Sequence, residues 1–377
     1  MPYTLEVHHI DVGQGDSSLI LVRDESNANA IVRSVLVDAG LATASGPVDS
    51  YVRNQGVANL DAIVATHYDK DHYYGLTELF GDSSSVLCDY AAIYDRGEIG
   101  HVDGSGNVTG RKDDFENYVT AVDRVTTRDR KTEFVVATRV LNIPSFFQPA
   151  NWLVDTEILS LMGGPTMTCI VANKWTQTPN NLIHVEGTLA IDDNPFSLGF
   201  LINHNNFRYF TAGDLTIAQE EQVGKYLNQP ATDAGHVCAV KMSHHGSDKS
   251  SSADYFARIR PRAAFVSAGL GNGYHHPMIR ALEHIENSPK RQYYYLSSCG
   301  ASSASALLLG CDRNKNQVTK NSMARVAGDR PRANPVANRG DVVLRVTHQQ
   351  SQQNPHQFSV AYYEKNSNAN LTMNLTC

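Results

Sequence analysis

Short apolar runs bounded by polar turns recur along much of the chain, and several of them are followed by stretches with a helical period. In the first part, Leu5 to Ile10, Ser18 to Val22, Ile31 to Val37 and Leu60 to Ala65 carry the apolar run of buried strands. Val48 to Gly56 reads as a short helix, and a further helix is expected to begin at Leu76-Thr77-Glu78-Leu79-Phe80. From Gly81 to about Asp193 the pattern is irregular: a glycine-rich polar stretch (Gly100 to Gly110), then a charged helical one (Lys112 to Arg130), with Trp152 and Trp175 beyond. Order returns with a hairpin, Phe196 to Ile202 and Phe207 to Thr211 across the turn Asn203 to Asn206. The second part then alternates helix Ile217 to Leu227, strand Val237 to Met242, helix Ser251 to Ile259, strand Ala263 to Ser267 and helix Met278 to Glu286. Asp341 to Val346 and Gln357 to Tyr363 read as a closing strand pair, and Arg325 to Arg339, with its prolines, as a loop.

Polar chemistry gathers where these strands end. Asp38 closes the third strand, Asp214 the hairpin, and Ser243-His244-His245-Gly246-Ser247 the strand after it, while His275-His276-Pro277 follows the next. Polar groups at successive strand ends along one edge mark an active site on a layered α/β fold. The densest group is His67-Tyr68-Asp69-Lys70-Asp71-His72, two histidines and two aspartates in six positions. So many titratable groups together are costly without a cation, and imidazole with carboxylate suits a divalent metal. Asp38 is placed to brace a ligand by a hydrogen bond. The loop Asp11-Val12-Gly13-Gln14-Gly15-Asp16 reads either as a hairpin turn or as a loop at the mouth of a site.

Charge and cysteine content narrow the classes. A formal net charge of -7 excludes a general nucleic-acid coating protein but leaves room for a local basic groove. The six cysteines form no Cys-x-x-Cys pair and are scattered, so buried or incidental thiols are expected rather than a disulfide framework. The N-terminus enters a strand pattern without a basic segment and apolar run, and no stretch is long and apolar enough to span a bilayer. A soluble, cytoplasmic protein with no membrane partner is the expectation.

The motifs, in their order, resemble the metallo-β-lactamase superfamily, and more closely the soluble hydrolase domain of the competence protein ComEC and its free-standing relatives. The resemblance rests on Asp11 to Asp16, Thr66 to His72, Gly213-Asp214, Ser243 to Ser247 with Ser250-Ser251-Ser252, and Ser267-Ala268-Gly269 to His276-Pro277, and covers residues 1 to 80 and 195 to 300. It implies an α/β (α+β) fold, a four-layer αβ/βα sandwich with two mixed sheets. Residues 1–310 are expected to form the hydrolase domain with a large insertion at about 82–193, and 311–377 a C-terminal extension packed on it. Asp69 stands where the superfamily's motif has a second histidine, an exchange common in the ComEC-like branch.

The implied cofactors are two divalent metal ions, zinc first, with manganese or magnesium as alternatives. His67, Asp69 and Asp214 would hold one ion and Asp71, His72 and Asp214 the other, with His244 and His276 completing the two sets. The histidine that the superfamily usually supplies before the bridging aspartate has no counterpart here, and Asn194 and His204 do not match it. Asp71 and His245 are the implied catalytic residues, His245 as acid/base or as support for a ligand. Gln14, Asp16, Asp38, Ser247 and His275 would orient ligands or touch substrate. The implied function is metal-dependent hydrolysis through a metal-activated hydroxide, by a phosphodiesterase or nuclease acting on DNA. Independently of the resemblance, Arg258, Arg260, Arg262 and the loop arginines Arg325, Arg330, Arg332 and Arg339 read either as a track for a phosphate backbone or as a solvated basic face. The alternatives are hydrolysis of a small phosphodiester (a cyclic nucleotide or phosphocholine-type ester) or a lactone, and a non-catalytic binding module on the same fold.

Overall fold

The computed structural model describes residues 1–81, 90–97, 101–102, 108–109, 115–128, 138–141, 153–178, 181–185, 193–228, 237–269, 276–286, 293–296, 340–353, 356–364 and 370–377. The expectations for Trp152, His275 and the arginines of 325–339 fall outside these residues.

The first sheet begins with β1 (Tyr3–His9), β2 (Ser18–Asp24), β3 (Ala30–Val37), β4 (Leu60–Val64) and β5 (Tyr90–Asp95). A small separate ribbon, β6 (His101–Val102) with β7 (Val108–Thr109), precedes β8 (Thr138–Leu141). The second sheet comprises β9 (Glu157–Ser160), β10 (Thr166–Ala172), β11 (Trp175–Gln177), β12 (Leu182–His184), β13 (Gly199–His204), β14 (Phe207–Ala212), β15 (Ala239–Lys241), β16 (Ala263–Val266) and β17 (Tyr293–Leu296). The last strands, β18 (Gly340–Val346), β19 (Gln357–Glu364) and β20 (Asn370–Thr376), return to the first sheet. Its order is β20-β19-β18-β1-β2-β3-β4-β5-β8; that of the second is β12-β11-β10-β13-β14-β15-β16-β17, with β9 beside β10. Within the stretch expected as an insertion, β5 and β8 belong to the first sheet and β9 to β12 to the second.

Both sheets are mixed in the same way. β1, β2 and β3 pair antiparallel and β3, β4, β5 and β8 parallel, just as β10, β13 and β14 pair antiparallel and β14 to β17 parallel. Parallel neighbours need crossovers. These are largely helical: α1 (Ser45–Asn54), α2 (Lys70–Gly81) and α3 (Phe115–Arg128) on the first sheet, then α4 (Ile217–Leu227), α5 (Ala253–Ile259) and α6 (Ile279–Glu286) on the second. A short α7 (His348–Gln352) joins β18 to β19.

Alternation along the strands separates three apolar cores. Leu5, Val7, Ile20, Val22, Val35 and Val37 face the second sheet and meet Met167, Phe200, Tyr209 and Phe265 there. The intervening Leu19, Leu21, Leu36 and Ile63 pack under α1, α2 and α3. Phe210, Val240, Ala264 and Val266 pack under α4, α5 and α6. Three cores between four layers make the expected αβ/βα sandwich.

Two expectations are corrected. α2 starts at Lys70 rather than near Leu76, so Asp71 and His72 lie on its first turn. Cys238 and Cys377 form a disulfide, with Cα atoms 5.2 Å apart and a sequence separation of 139. Sheet closure brings these cysteines together inside the inner core, which their spacing does not reveal. Cys169 is a buried free thiol. No described helix is long and apolar enough to cross a membrane.

Candidate metal centre

The parallel strands of both sheets deliver their C-terminal ends to one edge, where open α/β sheets bind ligands. Asp38 follows β3, Thr66 and His67 follow β4, Asp214 follows β14, and Ser243 to Gly246 follow β15. The Gln14–Asp16 loop joins them from between β1 and β2. Close backbone approach fixes the assembly. A Cβ on Gly15, whose φ is +119°, would lie 2.1 Å from the Asp71 carbonyl oxygen. One on Gly213 would lie 2.6 Å from Thr66 Oγ1 and 2.9 Å from His67 Nδ1.

Asp214 is the centre. It is 3% exposed and its amide donates to Ser197 Oγ at 2.9 Å. Its oxygens lie 3.3 Å from His72 Nε2, 3.5 Å from His245 Nε2, 3.8 Å from His244 Nε2 and 3.9 Å from His67 Nε2. Asp69 stands 3.5 Å from His67 Nε2. Asp71 on α2 accepts from Gln14 Nε2 at 2.9 Å and lies 3.2 Å from His245 Nε2. Gln14 Oε1 in turn accepts the Gly269 amide at 3.1 Å.

Two histidines have their distal nitrogens occupied. His72 Nδ1 meets Asp38 Oδ2 at 2.9 Å, and Asp38 also accepts the Thr66 amide (2.8 Å) and hydroxyl (2.7 Å). His245 Nδ1 donates to the Ser267 carbonyl at 2.8 Å. Both Nε2 atoms then face inward, 3.2 Å apart, as ligands oriented from behind do.

The electrostatics follow from this crowding. Burial opposes charge on every group, yet Asp214, Asp16 and Asp71 hold His245 up at about 9, and Asp214 with Asp38 holds His72 well above its ordinary range. Against burial, His245 and His72 keep the Asp214 and Asp71 carboxyls low. His67, buried and beside His72, falls to about 4. His276, buried and beside His245 and His244, falls to about 3.

A divalent cation fits this donor set. His67 Nε2 and Asp214 Oδ1 are buried without a hydrogen-bond partner. Donor atoms of Asp16, His72, Asp214 and His245 all lie within 4.8 Å of one another. Asp16 is committed elsewhere, however: its Oδ2 pairs with Lys241 Nζ at 2.5 Å. We therefore take Asp16 as a brace, and His72, His245, Asp71 and Asp214 as the groups nearest a shared ion.

Asp69, Asp71, Asp214, His244, His245 and His276 line one cavity of about 670 Å³, and the fully buried His67 and His72 adjoin it through Asp69 and Asp214. Ser247 lines it too, with its Oγ accepting the Lys249 amide at 3.2 Å. His245 lines the same cavity at 2% exposure. His204 lies apart, its Nε2 on the Tyr3 carbonyl at 2.8 Å. Arg262 is placed at the start of β15 and β16, its amide on the Cys238 carbonyl, so the Arg258–Arg262 group occupies the edge opposite the site.

Sequence reading missed three supports. Lys241, 3% exposed, also donates to the Ala212 carbonyl at 2.9 Å, joining both sheets through Asp16. A lone cation in the apolar run Val237 to Met242 was the available signal. Asp193 accepts the Tyr68 amide at 2.5 Å and pairs with Arg96, whose guanidinium stacks 5.0 Å from Tyr68 and 4.6 Å from Phe196. Glu220 lies buried and accepts the Ser251 amide.

No family model matches the chain. ComE operon protein 3 of Bacillus subtilis (strain 168) is 28% identical over 93 residues, 25% of this chain and 11% of that protein. The match thus spans about a tenth of that relative's length. Similar solved structures include a diphosphatase from the PhnP family (12% identity, 70% of this chain and 85% of that one, TM-score 0.33). Others are a Cronobacter sakazakii metallo-β-lactamase with a HARLDQ motif (14%, 62% and 76%, TM-score 0.30) and zinc-bound PqqB from Methylobacterium extorquens (10%, 70% and 88%, TM-score 0.31). The resemblance to the metallo-β-lactamase superfamily rests on the motifs of the sequence, and these structures, all with a TM-score under 0.5, add no argument to it. Likeness at such identities carries none of the site's chemistry, which rests on the distances above.

Proposed function

We propose that the chain is a metal-dependent phosphodiesterase, with DNA as its substrate. The observation that carries the hydrolase reading is the convergence of His72, His245, Asp71 and Asp214 from both sheets on one buried point beside a cavity. A divalent ion held there supplies Lewis acidity and a nucleophilic water at neutral pH. The chain's own residues do the rest. Asp38 and the Ser267 carbonyl hold the two imidazoles in the tautomer that turns Nε2 inward. Gln14 fixes Asp71. Lys70 and Lys249, both exposed at the cavity, suit phosphate oxygens. His244 is less buried than His245 and lines the cavity, so it is better placed to pass a proton to the leaving oxygen.

A small phosphodiester is the second reading. It is favoured by the cavity's size and by the position of Arg258 to Arg262 away from it. Purified protein with quantified metal should be offered single-stranded DNA, duplex DNA and bis-p-nitrophenyl phosphate, each with zinc, manganese and EDTA, alongside Asp71→Ala with His72→Ala. DNA cleavage that needs metal, fails in the double variant and weakens steeply with salt supports the nuclease. Turnover of the small diester alone transfers the reading to a small substrate. No turnover of any phosphodiester by metal-loaded protein overturns both.

A further inference from the structure

The segment Ser243 to Ser252 carries three left-handed non-glycine residues, where the Asp38 brace of the other sheet carries one, at φ 57°. His244, His245 and Ser251 have φ of 52°, 51° and 58°, a left-handed region that side chains enter reluctantly. Such bends persist only where the surroundings hold them. The Ser247 amide donates to the His244 carbonyl at 2.7 Å, and Ser250 Oγ to the Ser243 carbonyl at 3.0 Å. These bonds are internal to the segment. From outside, the Met278 amide donates to the Gly246 carbonyl at 2.8 Å and the Ser267 carbonyl accepts His245 Nδ1, while Glu220 lies against both ends.

Glu220 lies on the first turn of α4 and is 0% exposed. Its Oε2 accepts the Ser251 amide. The carboxyl also meets the Ser252 amide and the Ser243 hydroxyl; between Oε1 and Ser243 Oγ the geometry falls short of a full hydrogen bond. The Ile217 amide adds a bond from the same helix to the Lys249 carbonyl at 3.1 Å, and His284 Nδ1 lies 2.9 Å from the Ser251 carbonyl. The nearest cation acting on Glu220, Lys241, is already paired with Asp16. Burial without a counter-ion pushes Glu220 up to about 8, so the group is largely protonated at neutral pH. A protonated carboxyl can accept at one oxygen and donate from the other. The Ser251 and Ser252 amides can only donate to the carboxyl, and the Ser243 hydroxyl faces it from the other end of the segment.

We propose that Glu220 is a positioning residue: a buried carboxyl that clasps Ser243 to Ser251 and so aims His244 and His245 at Asp214. The inference rests on the metal-centre reading given above. It explains why a carboxyl that touches neither the cavity nor any candidate ligand is kept in the interior, where burial is costly.

The test compares Glu220→Ala and Glu220→Gln with the unaltered protein by zinc competition against a chromophoric chelator, and by hydrogen exchange of amides 243–252 in metal-free protein. Glutamine keeps one acceptor and one donor in the same shape. Zinc affinity should fall about tenfold or more in Glu220→Ala and stay within about threefold in Glu220→Gln, with exchange protection lost in the first and kept in the second. Glu220→Ala with unchanged zinc affinity and protection, and only a lower melting temperature, would reduce Glu220 to core filler and overturn the proposal. So would a glutamine variant as impaired as the alanine one. If the unaltered protein binds no zinc, the metal-centre reading fails, while the exchange comparison still decides whether Glu220 holds the turn.

Discussion

The two histidine-bearing segments of the site, Thr66–His72 after β4 and Ser243–Ser252 after β15, reach the same point by different means. No residue from Thr66 to His72 has a positive φ. His72 is carried on the regular first turn of α2 and aimed by a side chain, Asp38, which also holds Thr66. In the second segment the backbone does the aiming, through left-handed turns at His244, His245 and Ser251, and a buried carboxyl holds the turns. The first segment is held by hydrogen bonds to a side chain, and the only left-handed residue in that arrangement is Asp38 itself, at φ 57°. The other stores strain, which is stable only while its supports are intact.

That contrast can be broken most sharply at Asp38. Asp38→Ala leaves the Thr66 hydroxyl and His72 Nδ1 without their buried acceptor. Zinc affinity should fall about 10–100-fold and unfolding free energy by about 2–3 kcal/mol, read by chelator competition and denaturant melts.

Next in size is the disulfide, which ties the residue before β15 to the end of β20. Cys238→Ser with Cys377→Ser should cost about 2–4 kcal/mol. The accompanying loss of exchange protection should be larger in Ser243–Ser252 than in Thr66–His72.

Protons supply the third test. His245 must lose its proton to offer Nε2 to a metal. With its folded pKa raised to about 9 from 6.5, zinc affinity should climb about tenfold per pH unit per proton displaced and level off above about 9. Metal-free stability runs the other way. The ion-pair contribution of His245 is complete below its unfolded pKa and is lost as pH rises through the folded one, so the melting temperature of metal-free protein should fall across that window.

The smallest effect compares glycines. Ser251→Gly relieves a left-handed serine and should stabilise by about 1 kcal/mol, whereas Lys70→Gly in the first turn of α2 should destabilise by about 0.5–1 kcal/mol. Equal signs in thermal melts would erase the distinction between the segments.

Strands and helices with long, unbroken periods were legible in sequence: Ile217–Leu227 is α4 to the residue, and β1 to β4 lie where the apolar runs place them. β9 to β12 were not, because several span only three or four residues, too short for alternation to register. The start of α2 was obscured because its first turn is made of site residues, although Asp69 just before it is the kind of residue that opens helices. At the site, residue types at strand ends were readable; their depth was not. Whether His244 or His245 turns inward depends on backbone turns that the sequence His-His-Gly-Ser does not specify. The pairings Asp16–Lys241 and Arg96–Asp193 join residues far apart in the chain, so no local pattern announces them.

The central claim is that Asp214 gathers both segments around a divalent ion, and bound metal per chain tests it most directly. Unaltered protein and Asp214→Asn, dialysed against dilute zinc and then metal-free buffer, should differ plainly. The account predicts zinc retained by the first and lost from the second, with both equally folded by circular dichroism. Zinc absent from the unaltered protein, or held as well by Asp214→Asn, would contradict it.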